Sequence, residues 1–123
     1  MDRARCSFTN MRSELPIAGV REWLKVLLGR RRGLLVDGDS MAPTLRSGQK
    51  VLIDSQAAIC VGDIVAADHP FRSGIRIVKR LVSIDADGRL CLIGDNPAES
   101  TDSRTFGNIS PDHLVGKVVA RVQ

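Results

Sequence analysis

Ile75-Arg76-Ile77-Val78-Lys79-Arg80-Leu81-Val82 has a period of two. A strand turns successive side chains to opposite faces. Ile75, Ile77, Lys79 and Leu81 therefore share one face, and Arg76, Val78, Arg80 and Val82 share the other. The first face is apolar apart from Lys79. A lysine among aliphatic side chains is costly as an ammonium, so burial favours the neutral amine, which is a base. The ordinary lysine value of about 10.4 must fall by several units for that amine to act near neutrality. Full burial supplies a drop of that size.

The same strand-and-turn pattern extends outward over most of the chain. Leu34-Leu35-Val36, Lys50-Val51-Leu52-Ile53, Asp63-Ile64-Val65-Ala66-Ala67, residues 74–82, Leu90-Cys91-Leu92-Ile93 and residues 117–122 read as strands. Ser47-Gly48, Val61-Gly62-Asp63, Asp87-Gly88 and Gly94-Asp95-Asn96-Pro97 read as turns. Asp87-Gly88 between two apolar runs is a strong hairpin signal. The aromatics are only Phe8, Trp23, Phe71 and Phe106. The core is therefore aliphatic, which suits strands. The expected fold is mainly β: a small antiparallel barrel-like or two-sheet domain preceded by one amphipathic helix.

The N-terminal quarter has a different composition. Residues 1–15 read as a mobile basic arm. Over 16–32, Ile17, Val20, Trp23, Leu24, Leu27 and Leu28 recur at helical spacing, with Arg21, Glu22 and Lys25 opposite. Pro16 suits a helix start and Gly29 an end. A helix of this kind can lie on a membrane surface; packing on its own domain is the commoner fate and ranks ahead. The third segment, 33–123, carries the strands. Residues 1–33 hold eight Lys/Arg and three Asp/Glu, net +5, and the remainder ten and eleven, net −1. The basic excess belongs to the arm, so no nucleic-acid stripe crosses the folded domain. An apolar run long enough to span a bilayer and the h-region of a secretory signal are both missing from the sequence. Cys6, Cys60 and Cys91 are widely spaced, which reads as reduced thiols and points to the cytoplasm.

Gly38-Asp39-Ser40-Met41-Ala42-Pro43-Thr44-Leu45 supplies a hydroxyl that needs a base. His69 sits in a loop, and His113 sits in Ser110-Pro111-Asp112-His113, which reads as a helix-start turn; neither belongs to a catalytic motif. Lys79 is the alternative, because Ser-Lys variants of the triad exist. Gly38 suits a close backbone approach. Pro43 fixes the chain just after Ser40. The Ser40 N–H is placed to bind a developing oxyanion. Asp37 and Asp39 resemble the opening of a calcium loop, but its terminal Glu is missing and position 48 is Gly, so no metal or other cofactor is expected.

Three ordered blocks resemble the type I signal peptidase family: Ser40-Met41-Ala42-Pro43-Thr44-Leu45, Ile77-Val78-Lys79-Arg80, and Gly94-Asp95-Asn96-Pro97-Ala98-Glu99-Ser100-Thr101-Asp102-Ser103-Arg104-Thr105-Phe106-Gly107. The resemblance covers roughly residues 33–119. It implies Ser40 as nucleophile and Lys79 as base. It further implies that Ser100 holds the lysine amine, that Asp102 and Arg104 brace the site by a salt bridge, and that Asp95 and Asn96 are structural turn residues. Many members carry an oxyanion-binding serine where this chain has Gly38. The missing membrane anchor and the closing segment are similar to the soluble subgroup that matures nickel-type superoxide dismutase, which implies a precursor polypeptide as partner and removal of its leader. Met41 and Pro43 are expected to touch the peptide, although Met41 is equally suited to the core. Two other readings stand beside this one. The first is a self-cleaving regulator of the SOS-repressor type, cut within Ile17-Ala18-Gly19-Val20. The second is a catalytically silent binding module with the same fold.

Overall fold

The computed structural model describes residues 32–99 and 101–122. The arm and all but the last residue of the expected helix lie outside them. Six strands form where the alternation places them: β1 (Arg32–Leu35), β2 (Lys50–Asp54), β3 (Ile64–Asp68), β4 (Arg76–Ile84), β5 (Leu90–Ile93) and β6 (Leu114–Val122). They make one sheet in the order β1-β2-β6-β3-β4-β5, with every neighbouring pair antiparallel. Arg32 opens β1 opposite Ile53.

The sheet curls into a half-barrel. Three strands separate β1 from β4, yet Leu34 and Leu35 line the same cleft as Ile77 and Lys79. Register shifts at Leu52/Ile53, Ala66/Ala67 and Leu81/Ser83 contribute, because a bulge adds local twist. At Gly116 the backbones pack too closely for a side chain: an added Cβ would lie 2.7 Å from the Asp54 carbonyl oxygen. One curled sheet thus realises the barrel-like expectation rather than two packed sheets.

Each face of this sheet has its own core. Ile64, Ala66, Val51, Ile53 and Val118 pack with Val36, Met41 and Leu45 on one side. Val65, Ala67, Leu81, Leu90, Leu92 and Ile109 pack on the other, with Ile77 and Phe106 against them. The central strand β3 is buried on both faces, which is why it reads as an unbroken apolar run. On β4 the alternation holds as expected: Ile77 and Leu81 join the second core, Val78 borders the first, and Lys79 is buried beside Leu81.

The β4–β5 hairpin turns at the expected place, with the Gly88 N–H donating to the Asp85 carbonyl at 2.9 Å and the Asp85 carboxylate accepting from Asp87 and Arg89 N–H groups. One short α-helix, α1 (Ser103–Phe106), is found among the described residues, with Asp102 at its N-cap. Pro111–His113 form a 3-10 turn capped by Ser110, as that motif suggests. The thiol expectation needs correction: Cys91 is free, but Cys60 is disulfide-bonded. Separation along a chain does not measure separation in a fold.

Candidate active site

Ser40 lies in a turn between β1 and β2. The turn is built by the Ala42 N–H donating to the Asp39 carbonyl at 3.1 Å and the Leu45 N–H donating to the Met41 carbonyl at 2.9 Å. Met41 and Leu45 anchor it, both fully buried in the first core. Gly38 has a φ of +87°, and an added Cβ there would meet nothing within 4 Å. The left-handed backbone there favours glycine, and the open space beside it leaves room for a chain to approach. The Gly38 N–H donates to Ser47 Oγ at 3.1 Å and is already used.

The Gly94-Asp95-Asn96 segment holds this turn against β4. The Asn96 N–H donates to the Ser40 carbonyl at 2.8 Å, and Asn96 Nδ2 donates to the Asp39 carbonyl at 3.1 Å. The Asp95 carboxylate accepts from Thr44 Oγ1 at 2.7 Å on one side. On the other it takes a two-pronged contact from Arg80, Nε at 2.9 Å and Nη2 at 2.7 Å. Arg80 follows Lys79 in β4, so Asp95 ties the serine turn to the lysine strand.

Lys79 is 5% exposed. Burial pulls its amine below the ordinary lysine value; the Asp102 carboxylate pushes the other way and the Arg104 guanidinium pulls it down further. Asp102 is fully buried. Its carboxylate accepts from the Gly94 N–H at 2.9 Å, from Arg104 Nη2 at 2.8 Å and from Arg104 Nε at 3.0 Å. The salt bridge implied by the resemblance is present, and its field reaches the lysine. Ser100 lies outside the described residues.

Two clefts meet at Ser40 and Lys79, which line both. The larger, of about 510 Å³, runs past Gly38 and Asp39 to His69, Phe71, Thr105 and Phe106. The smaller, of about 210 Å³, runs between the end of β1 and residues 75–79, with Met41 in its wall. Pro43 follows Ser40 in the turn, is exposed, and lines neither of these two clefts. Beside the smaller cleft, β4 is half open among the described residues. It pairs with β3 from Arg76, but with β5 only from Arg80.

His69 is the cleft residue that motif reasoning passed over. Its available signal was parity: it continues the Val65, Ala67 alternation one step beyond β3. Arg80 and Thr44 were likewise not singled out, since their role depends on Asp95, distant in sequence.

The sequence profile of the Peptidase S24-like family matches residues 23–119. The chain is 34% identical over 111 residues to mitochondrial inner membrane protease subunit 1 of Schizosaccharomyces pombe, an alignment covering 72% of this chain and 71% of that protein. It is 29% identical over 112 residues to the subunit 1 of Xenopus tropicalis, covering 72% and 67%. Against the Homo sapiens subunit 1 the figures are 27%, 72% and 68%. These names overturn the cytoplasmic expectation, since the relatives are assigned to a membrane. That expectation leaned on the cysteine spacing and on the missing apolar span. No helix among the described residues is long and apolar enough to cross a bilayer. A protein nevertheless needs no span of its own to work at a membrane.

Proposed function

The chain belongs to the Peptidase S24-like family, and from that premise we propose that it is a serine endopeptidase working through a Ser40–Lys79 dyad. One observation carries this reading: a buried lysine with a depressed pKa shares both clefts with a serine held in a rigid turn. Neutral Lys79 takes the Ser40 proton as Oγ attacks the scissile carbonyl. The Ser40 N–H donates to the oxyanion. The resulting ammonium then protonates the departing amine, leaving an acyl-serine. Lys79 next takes a proton from water as the water oxygen attacks the acyl carbon; the bond from that carbon to Ser40 Oγ breaks, the acyl product leaves as an acid, and the proton passes from Lys79 to Oγ.

The substrate is an extended polypeptide. It runs extended along the clefts beside residues 76–79 of β4. Met41 walls the smaller cleft and fits it to small aliphatic side chains. Ser100 orients the Lys79 amine, as the resemblance implies. The finer task is leader removal from a nickel superoxide dismutase precursor. It is supported by the closing segment with Pro97 and Ser100-Thr101-Asp102-Ser103-Arg104, whereas the relatives above carry a different name.

Co-expression with that precursor tests both levels. Mass spectrometry of the dismutase N-terminus should show leader removal with the wild type and none with Ser40→Ala. An intact precursor beside cleavage of another polypeptide discards the maturation role and keeps the dyad. Loss of mass from the protein itself, confined to the wild type, would favour self-cleavage instead.

A further inference from the structure

We propose that His69 is a substrate-positioning residue whose Nε2–H donates a hydrogen bond to a backbone carbonyl of the bound peptide, at the end of the larger cleft remote from Ser40. This rests on the peptidase reading of the site. His69 follows β3, and its N–H donates to the Ile75 carbonyl at 2.7 Å, which closes the β3–β4 hairpin. Its Nδ1 accepts two backbone N–H groups, from Phe71 at 3.0 Å and Arg72 at 3.1 Å. An imidazole nitrogen that accepts carries no proton, so in the neutral ring the proton sits on Nε2. Among the described residues His69 accepts at Nδ1 and donates only through its backbone N–H, which leaves Nε2–H as an unspent donor. The ring packs against Phe106 with centroids 5.2 Å apart, which limits its rotation. Burial and the Arg72 charge hold its pKa below the usual histidine range, which favours the neutral, single-tautomer form.

The register places this donor relative to the dyad. Lys79 lies opposite Val65, and Ile77 opposite Ala67. His69 is the next residue of that alternation, and all three of Lys79, Ile77 and His69 line the cleft. Four residues separate Val65 from His69, about 13 Å at the rise of a strand. An extended peptide running along this cleft therefore meets His69 about three to four residues from its scissile bond, on one side only.

Two substitutions separate this role from the hairpin's own needs. Asn at 69 keeps an acceptor for the Phe71 and Arg72 N–H groups, as in an Asx-turn, but cannot reach as far as Nε2. Gln carries an amide donor near the Nε2 position. The probe is a synthetic peptide with small residues at the junction and about four more on either side, the reach set by the strand rise. His69→Asn should raise KM about three- to tenfold with kcat nearly unchanged, and His69→Gln should recover much of that loss. The KM penalty should vanish when the peptide is shortened on one side and persist when it is shortened on the other. A His69→Asn enzyme with wild-type KM, or a penalty indifferent to both truncations, overturns the proposal. So does an imidazole 15N spectrum of the wild type showing the proton on Nδ1, a measurement that needs no variant to fold. If the wild type leaves both this peptide and denatured casein intact, the peptidase reading falls and takes the proposal with it. If the wild type cleaves but His69→Asn matches it, only the His69 role is lost.

Discussion

Arg80 and Asp95 meet in a two-pronged ion pair, Nε to Oδ1 at 2.9 Å and Nη2 to Oδ2 at 2.7 Å, with side chains 16% and 19% exposed. The same carboxylate accepts from Thr44, four residues past Ser40. One acid thus fixes the distance between the turn that carries the serine and the strand that carries the lysine. Such geometry is stronger than a surface pair, since both partners are largely dry and the fork is bidentate.

Asp95→Ala should destabilise the protein by about 2–3 kcal/mol, because it strands a mostly buried guanidinium. It should also lower kcat, because the Ser40 turn loses its tether. Urea unfolding with parallel peptide cleavage checks both. A variant that loses stability but keeps full activity would sever Asp95 from the site.

The same pair sets an acid limit. Burial pushes the Asp95 carboxyl up, but hydrogen bonds from Arg80 and Thr44 and the Arg80 charge together hold it below the usual carboxylate range. A group with a depressed folded value stabilises above its unfolded value of about 3.9 and loses that contribution as pH falls through the folded one. The stability gap between wild type and Asp95→Asn should therefore be constant near neutrality and shrink below about pH 4.

Cleavage should rise with pH through the lowered Lys79 value and level off below the ordinary lysine value. Lys79→Arg should be inactive at every pH, since a guanidinium does not deprotonate in this range. A rate still climbing near that ordinary value would place the amine in water.

Arg104 lowers the Lys79 pKa and Asp102 raises it. Arg104→Gln removes the first effect and frees the Asp102 carboxylate to strengthen the second. Both changes favour the ammonium. The midpoint of the pH–rate profile should move to higher pH, with the plateau rate largely kept. A midpoint that stays put or moves to lower pH would contradict this electrostatic assignment.

Lys79→Met should abolish cleavage and raise stability at pH 7 by about 0.5–2 kcal/mol. The sign follows from the depressed pKa: the fold penalises the charged amine, and an apolar side chain of similar length escapes that penalty. Thermal unfolding of the two proteins at equal pH measures it.

Periodicity, a local property, was enough to locate all six strands, the β4–β5 hairpin and the apolar face that takes Lys79. Ser40 came instead from its local motif, a hydroxyl in a Gly-Asp-Ser-Met-Ala-Pro run that needs a base. Asp102 and Arg104 were legible only through resemblance. Their salt bridge spans two residues, but its importance comes from Asp102 being buried beside Lys79. What lay beyond the sequence was everything set by curling of the sheet. Bulges and the close packing at Gly116 bring β1 across to β4, and no pattern along one strand encodes how far a sheet bends. The link from Asp95 across to Thr44 and the meeting of His69 with Gly38 and Ser40 in one cleft follow from that bend. They are contacts between residues far apart in the chain, whose pairing depends on where the backbone carries them.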